Sequence, residues 1–498
     1  MADTASPRSE PAPGSGGDRR AALARFLAAA SGARACAITV LAPLTGGSIQ
    51  ENWGLDAHFE GGTLDGEHRL VLRAAGETGV PSSLDRVQEF AVLKAAFVAG
   101  VTVPEPLFAC PDSLVFGKPF FIMRRAEGTA AAHRITREAP LDPVLPAIAE
   151  RLGRELARIH TIRPARPDLD FLTPYEKSGP TYQIAAFRRY LDTHPSPRPV
   201  LEWGIRWLET HAPPPAEPVL CHHDFRTGNY LLDDGKLTGI LDWEFAGWGD
   251  PHEDIAWFCS KGWRFARLDR EAGGIADRAP FYHGYENESR RAIDRVRVHF
   301  WEVLASVRWA IIALQQSDRQ MAGGERSLDL ALTGRRASEC ELAILMLLDP
   351  GIEMSWALPR ERDASSAETA ERGPTDDLPR GPALLALARD VLINDLLPLL
   401  PRDRQFDARL VANCMAIAER EAETPECANA IFSQLETLLD ADSRGGSALL
   451  SRFARELRIG GLDNSPERAA RARAILWRLT IARLRLANPR FLAANGLA

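Results

Sequence analysis

Lysine is almost missing from this 498-residue chain. Of its 60 basic residues only Lys94, Lys118, Lys177, Lys236 and Lys261 are lysines. Any grip on an anion must therefore come mostly from guanidinium groups, which stay charged and bind phosphate bidentately. An excess of positive charge is missing too: 60 Lys and Arg stand against 67 Asp and Glu, a net charge of −7. That balance argues against a nucleic-acid partner. The seven cysteines (Cys36, Cys110, Cys221, Cys259, Cys340, Cys414 and Cys427) form no C-x-x-C pair and are odd in number. A disulfide framework is thereby disfavoured, and a reducing, cytoplasmic compartment is expected. No run of about 18 apolar residues occurs, so neither a membrane span nor a membrane partner is expected. The first twenty residues hold no apolar segment of the kind a signal peptide needs. A Walker A sequence is also lacking, since Gly117-Lys118-Pro119 has neither the upstream Gly nor the Ser/Thr.

What is present reads as an α+β protein of roughly three units, at about 150 residues per domain. Residues 1–19, rich in Pro, Ser and Gly, are expected to be disordered. Residues 20–124 read as a small β-rich lobe. Trp53, Leu55, Ala57 and Phe59 alternate up to the turn Glu60-Gly61-Gly62, and Leu70–Arg73 and Pro119–Met123 form further strands. Between these strands, Leu84–Phe97 reads as a helix with Val87, Phe90, Ala91, Leu93 and Phe97 on its apolar face. Residues 125–355 are mostly helical, with Ile148, Leu152, Leu156 and Ile159 at helix spacing and one β island from Val219 to Phe245. Residues 356–380 lose all periodicity and read as a linker. An all-α C-terminal domain follows over 381–498, where Leu384, Leu387 and Val391, then Val411, Cys414, Met415 and Ala418, recur at helix spacing. A cut near residue 375 is expected to leave a soluble N-terminal module.

The chemistry concentrates between Cys221 and Glu244. Tyr230–Leu232 and Leu237–Leu241 flank Asp233-Asp234-Gly235-Lys236, a hairpin turn by composition. A hairpin closed there brings Asn229 and Asp242 together at its open end, a carboxamide beside a carboxylate, which suits Mg²⁺ held against phosphates. Asp224 lies five residues before Asn229, giving His222-x-Asp224-x-x-x-x-Asn229, the spacing of a kinase catalytic loop. A zinc site on Cys221, His222, His223 and Asp224 is disfavoured, because successive residues of an extended chain point to opposite faces.

This segment resembles the Brenner motif of the aminoglycoside phosphotransferase and choline kinase family. The resemblance implies a protein-kinase-like bilobal fold over residues 21–355, with a small β-rich N-lobe (20–124) and a large helical C-lobe (125–355). It implies ATP and Mg²⁺ as cofactors and a small-molecule hydroxyl as acceptor, with Asp224 as catalytic base and Asn229 and Asp242 as metal ligands. Leu44–Trp53 resembles the family's nucleotide loop, so Gly46, Gly47 and Ser48 are implied to approach phosphates. Arg73 resembles the strand residue that grips the α/β-phosphates, with Glu89 as its ion-pair partner. Phe121-Ile122-Met123 resembles the strand entering the hinge that binds adenine. His160 resembles a structural histidine, and Asp250-Pro251-His252-Glu253-Asp254 a helix start whose carboxylates orient the catalytic loop.

Ser260–Phe265, Trp309 and Gly334-Arg335-Arg336 resemble the kinase-like domain of acyl-CoA dehydrogenase fusion proteins. Residues 381–498 resemble a trailing helical domain of unknown function, through which homo-oligomerisation, where it occurs, would run. Residues 260–300, just after the hairpin, carry nine Lys and Arg against six Asp and Glu, and on that excess Lys261 and Arg264 are expected to face the cleft and meet an anionic acceptor such as a hydroxyacyl-CoA. The alternatives are an aminoglycoside- or choline-type kinase and a nucleotide-binding pseudokinase acting through its tail.

Overall fold

Five strands build the N-terminal sheet: β1 (Ala35–Pro43), β2 (Glu51–Glu60), β3 (Gly66–Ala74), β4 (Pro106–Cys110) and β5 (Phe120–Arg124). Their spatial order is β1-β2-β3-β5-β4, and every pairing is antiparallel. The computed structural model describes residues 15–44, 51–76, 83–265, 267–322, 327–350, 381–423, 426–441 and 445–497. The expected linker and the loop residues Gly46, Gly47 and Ser48 lie outside the described residues. The alternation read in β2 buries Leu55, Ala57 and Phe59. Central β3 is covered on both faces, so alternation gives way to a continuous buried run from Leu70 to Ala74 that includes Arg73.

Two local expectations need correction. Most of the segment expected to be disordered, residues 1–14, lies outside the described residues, but residues 15–19 belong to a helix over Ser15–Ser31 that precedes the strands. Its Ala-rich stretch has high helix propensity, and Leu23, Phe26 and Leu27 at i, i+3, i+4 pack on the sheet with Phe59, Leu72 and Phe120. The helix Arg86–Val98 begins at a capping box formed by Asp85 and Gln88. Its buried face differs from the apolar face expected: Val87 and Phe97 are exposed, whereas Arg86, Glu89, Val92, Leu93 and Ala96 are buried. Two charges take inward positions because partners wait for them there.

Contacts divide the chain into two units. One holds the chain to Ser178 with Pro215–Phe258 and Arg270–Ile293, and the other holds Gly179–Pro214, Cys259–Asp269 and the chain from Asp294. In the first, helix Leu145–Ile159 buries Ile148, Leu152, Leu156 and Ile159 as the spacing predicts. It crosses helix Arg278–Ser289 at two glycines. A Cβ on Gly153 would lie 2.1 Å from the Phe281 carbonyl oxygen, and one on Gly284 would lie 2.0 Å from that of Glu150. The β island becomes β6 (Val219–Cys221), β7 (Tyr230–Asp233), β8 (Lys236–Ile240) and β9 (Gly247–Gly249), with β6 paired to β9 and β7 to β8. Helix Pro251–Cys259 follows.

In the second unit, helices Pro199–Thr210 and Ala337–Leu348 pack against tail helices Gly446–Ile459 and Pro466–Ala487 respectively. Fully buried Glu341 is met by Arg483 at 3.1 Å and Arg198 at 3.6 Å. Buried Glu202 pairs with Arg188 and lies 3.9 Å from Arg458. Buried carboxylates that depend on tail arginines run against the expectation of a freely separable N-terminal module. No described helix is long and apolar enough to cross a membrane.

Candidate active site

The turn Asp234-Gly235 closes the β7–β8 hairpin with positive φ at both central residues, 47° and 69°, as a type I′ turn requires. Its register pairs Tyr230 with Ile240, and one step further the Leu241 amide donates to the Asn229 carbonyl at 2.8 Å. Asn229 and Asp242 thus flank the hairpin's open end. Asp242 holds a left-handed φ of 67° and His223 one of 61°. Such conformations cost non-glycine residues about 1–3 kcal/mol and persist where the surroundings fix them.

Three donors hold the carboxylate of Asp224. Asn229 Nδ2 donates to it at 2.6 Å, Trp257 Nε1 at 3.0 Å, and Arg226 Nε to its two oxygens at 3.0 and 3.1 Å. Asn229 Nδ2 also reaches the Asp224 carbonyl at 2.9 Å, curling the loop back over the hairpin's end. Behind the loop, Asp254 accepts the backbone amides of His222 at 2.6 Å and His223 at 2.8 Å. His160 Nε2 donates to the same carboxylate at 3.3 Å, while its Nδ1 lies 2.9 Å from the Tyr285 hydroxyl. Burial opposes the Asp254 charge, but the bond from His160 and the neighbouring imidazoles outweigh it and hold the carboxyl at about 2. Asp250 instead accepts from the amide and ring of His252 at its own helix start.

Zinc does not fit the Cys221–Asp224 run. Cys221 Sγ points to the Asp250 carbonyl, His222 Nε2 donates to that of Leu241, and His223 Nδ1 donates to that of Phe245. The donor atoms diverge. His160, Cys221 and Asp254 do gather within 4.8 Å of one another, yet Asp254 and His160 are already committed to the bonds just described.

A second cluster joins β3 to the hairpin. Arg73 Nε lies 2.9 Å from Glu89, and Arg73 Nη2 lies 2.6 Å from Asp242 Oδ1. Burial works against the Arg73 charge, but the Glu89 and Asp242 carboxylates outweigh it and hold the guanidinium above its ordinary range. Arg86 pairs with Glu89 from one turn earlier and lies 3.6 Å from Glu244. The Glu244 carbonyl accepts the Leu84 amide at 2.7 Å, tying the start of that helix to the hairpin. Met123 sits on β5 opposite Val71, two positions along from the Arg73–Phe121 pair.

The structure therefore brings Arg73, Glu89 and Asp242 into one cluster and Asp224 and Asn229 into the adjoining loop. Arg86, Arg226, Glu244 and Trp257 are partners the sequence reasoning missed. Arg226 and Glu244 had a signal, since each stands two residues after a singled-out aspartate. Lys261 and Arg264 are not where the charge argument put them. Buried Arg264 donates to the carbonyls of Cys259 at 3.0 Å and Leu268 at 3.2 Å. Lys261 is part-buried against Asn495 and Met346, and burial together with Arg264 pushes its pKa down to about 8. Their charges are used inside the second unit.

An antiparallel sheet, a helix ion-paired to its central strand, and a loop–hairpin carrying Asp224, Asn229 and Asp242 define a kinase-like phosphotransferase fold. The chain belongs to the phosphotransferase enzyme family (APH), whose model matches residues 40–297. A domain of unknown function (DUF6285) matches residues 398–491. The chain is 31% identical over 200 residues to acyl-CoA dehydrogenase family member 10 of Mus musculus, covering 39% of this chain and 18% of that protein. It is 34% identical over 182 residues to acyl-CoA dehydrogenase family member 11 of Gallus gallus, covering 34% and 22%. The chain thus spans about a fifth of the length of these relatives. Among solved structures, a candidate aminoglycoside phosphotransferase from Ralstonia eutropha superposes with a TM-score of 0.53 at 21% identity, covering 67% of this chain and 99% of that one. That likeness speaks to the fold.

Proposed function

We propose that this protein is an ATP- and Mg²⁺-dependent kinase that transfers the γ-phosphoryl group to a hydroxyl of a small molecule. The observation that carries the reading is the Asp224–Asn229–Asp242 arrangement beside Arg73. Asp224 orients the acceptor hydroxyl and receives its proton on a carboxylate oxygen as the O–P bond forms. Trp257 donates to one oxygen of that carboxylate and Asn229 to the other, and Arg226 Nε bonds both, which fixes the group's orientation. Arg73, positioned by Glu89, binds the phosphates of the nucleotide.

Asn229 and Asp242 fit a Mg²⁺ ion by their chemistry. The Asn229 nitrogen is committed to Asp224, which leaves its Oδ1 as a hard-oxygen ligand, and the Asp242 side chain is 30% exposed. Bound there, the ion would neutralise phosphate charge. Gly46, Gly47 and Ser48 complete the phosphate grip on this reading, and the backbone around Met123 holds the base. A hydroxyacyl-CoA or related anionic metabolite is the proposed acceptor, supported by the acyl-CoA dehydrogenase relatives. A cytoplasmic setting is consistent with the six described cysteines being free.

The test is purified full-length protein with Mg-ATP and a panel of hydroxyl metabolites, including hydroxyacyl-CoAs and aminoglycosides, read by mass spectrometry. A hydroxyacyl-CoA that gains one phosphoryl group is expected. Phosphorylation of aminoglycosides alone would overturn the acceptor, and no product from any compound would overturn the activity.

A further inference from the structure

The segment Gly381–Leu400 is the most apolar stretch of the tail, with ten Leu, Ile and Val against Arg389, Asp390 and Asp395. It forms a helix over Gly381–Val391 and continues through single turns to Leu399. Nothing in it is buried. One side packs on helix Arg402–Glu423, where Arg389 pairs with Glu419. The other side carries Leu384, Leu387, Val391, Leu396 and Leu399, exposed by 41 to 81%, and exposed Phe406 follows at the start of the next helix. Leu384, Leu387 and Val391 are the residues whose spacing predicted a helix here. A helix that is apolar all round belongs in an interior.

We infer that this face is an interface between two copies of the chain, packed about a twofold axis. Area is the first argument. The six side chains expose on the order of 600 Å² per copy, and the half-buried Leu392, Ile393 and Leu397 beside them bring the patch close to the roughly 800 Å² per partner of a standard interface. Charge is the second. A membrane-surface helix of this kind carries Lys and Arg on its polar side to meet anionic lipid. This segment has one Arg against two Asp, so a lipid surface gains no electrostatic attraction. An uncharged apolar stripe is complementary to itself, which is what an isologous twofold contact needs.

Light scattering on the full-length protein, coupled to size-exclusion chromatography, tests the inference. Twice the chain mass of 54.7 kDa is expected at micromolar concentration. Leu387→Glu with Leu399→Glu should return the single-chain mass with an unchanged far-ultraviolet circular dichroism spectrum. Leu399→Glu alone, at the most exposed position of the stripe, serves if the double variant fails to fold. Val296→Glu, at an exposed apolar residue elsewhere in the same unit, should leave the doubled mass unchanged. A wild-type monomer, or a dimer that survives the stripe variants, would overturn the inference. So would sedimentation of a monomer with phosphatidylcholine–phosphatidylglycerol vesicles, which would assign the face to lipid.

Discussion

Arg73 reaches across 169 residues of sequence to donate to Asp242 at 2.6 Å, so a cation of the sheet and an anion of the hairpin neutralise each other in the protein alone. Under the proposed activity, nucleotide binding is an exchange: phosphates take the guanidinium while metal takes the carboxylate. Asp242→Ala should therefore remove the Mg²⁺-dependent part of nucleotide binding. A thermal-shift titration checks it, and stabilisation by Mg-ATP as large as in the wild type would place the metal elsewhere.

Asp224→Asn removes the proton acceptor of the proposed reaction and turns one amide NH₂ toward donors that now meet a carboxylate oxygen. Turnover is expected to fall by about 10²–10⁴ while nucleotide affinity stays within a few-fold. Single-turnover kinetics beside a binding titration separates the two effects, and wild-type rates would refute the assignment.

Glu89→Ala is expected to unfold more than it disables. Glu89 is 2% exposed and is shared by Arg73 and Arg86, so its loss leaves buried Arg73 with Asp242 and buried Arg86 with the more distant Glu244. Removing one partner of a buried pair costs about 3–5 kcal/mol. Urea denaturation should show a lower midpoint with an unchanged slope.

Deleting residues 381–498 should give an aggregating or markedly less stable product. Arg483 and Arg458 would leave buried Glu341 and Glu202 under-compensated, and helices Pro199–Thr210 and Ala337–Leu348 would lose their cover. Yield and melting temperature of the truncated chain report this. A soluble product that melts like the full-length protein would count against a shared core.

Lys261 supplies a pH signature. Its pKa falls from 10.5 to about 8 on folding, so between those values the unfolded chain binds the extra proton and stability rises with pH. Below about pH 8 the charged form is held part-buried at a cost. Lys261→Met should be more stable than wild type at pH 7, with the difference closing toward pH 10. Denaturant midpoints across that range would reveal a constant gap if the assignment were wrong.

The hairpin was fully legible, because Asp234-Gly235 between apolar runs has few other uses and its register then fixes Asn229 against Leu241. Helix Leu145–Ile159 was legible for the same local reason, its stripe being continuous. The face of helix Arg86–Val98 was not. Periodicity sees apolar side chains, and here Arg86 and Glu89 are inside because Arg73 and Glu244, distant in sequence, complete them. Trp257 as an Asp224 donor was hidden too, since an apolar ring on an apolar helix gives no hint of where its N–H points. The charge excess after the hairpin misled, because composition cannot tell a guanidinium facing solvent from Arg264, which is spent on backbone carbonyls.

The crossing of Gly153 and Gly284 bears on how this sequence can drift. Neither position can accept even a methyl group unless two helix backbones separate by an ångström or more. One of those helices ends at His160, whose ring bonds Asp254 behind the Asp224 loop, and the other bears Tyr285, whose hydroxyl backs that ring. An alanine at the crossing would thus be felt first as a misplaced loop, far from the substitution. Screens for altered acceptor preference should leave both glycines fixed and randomise elsewhere.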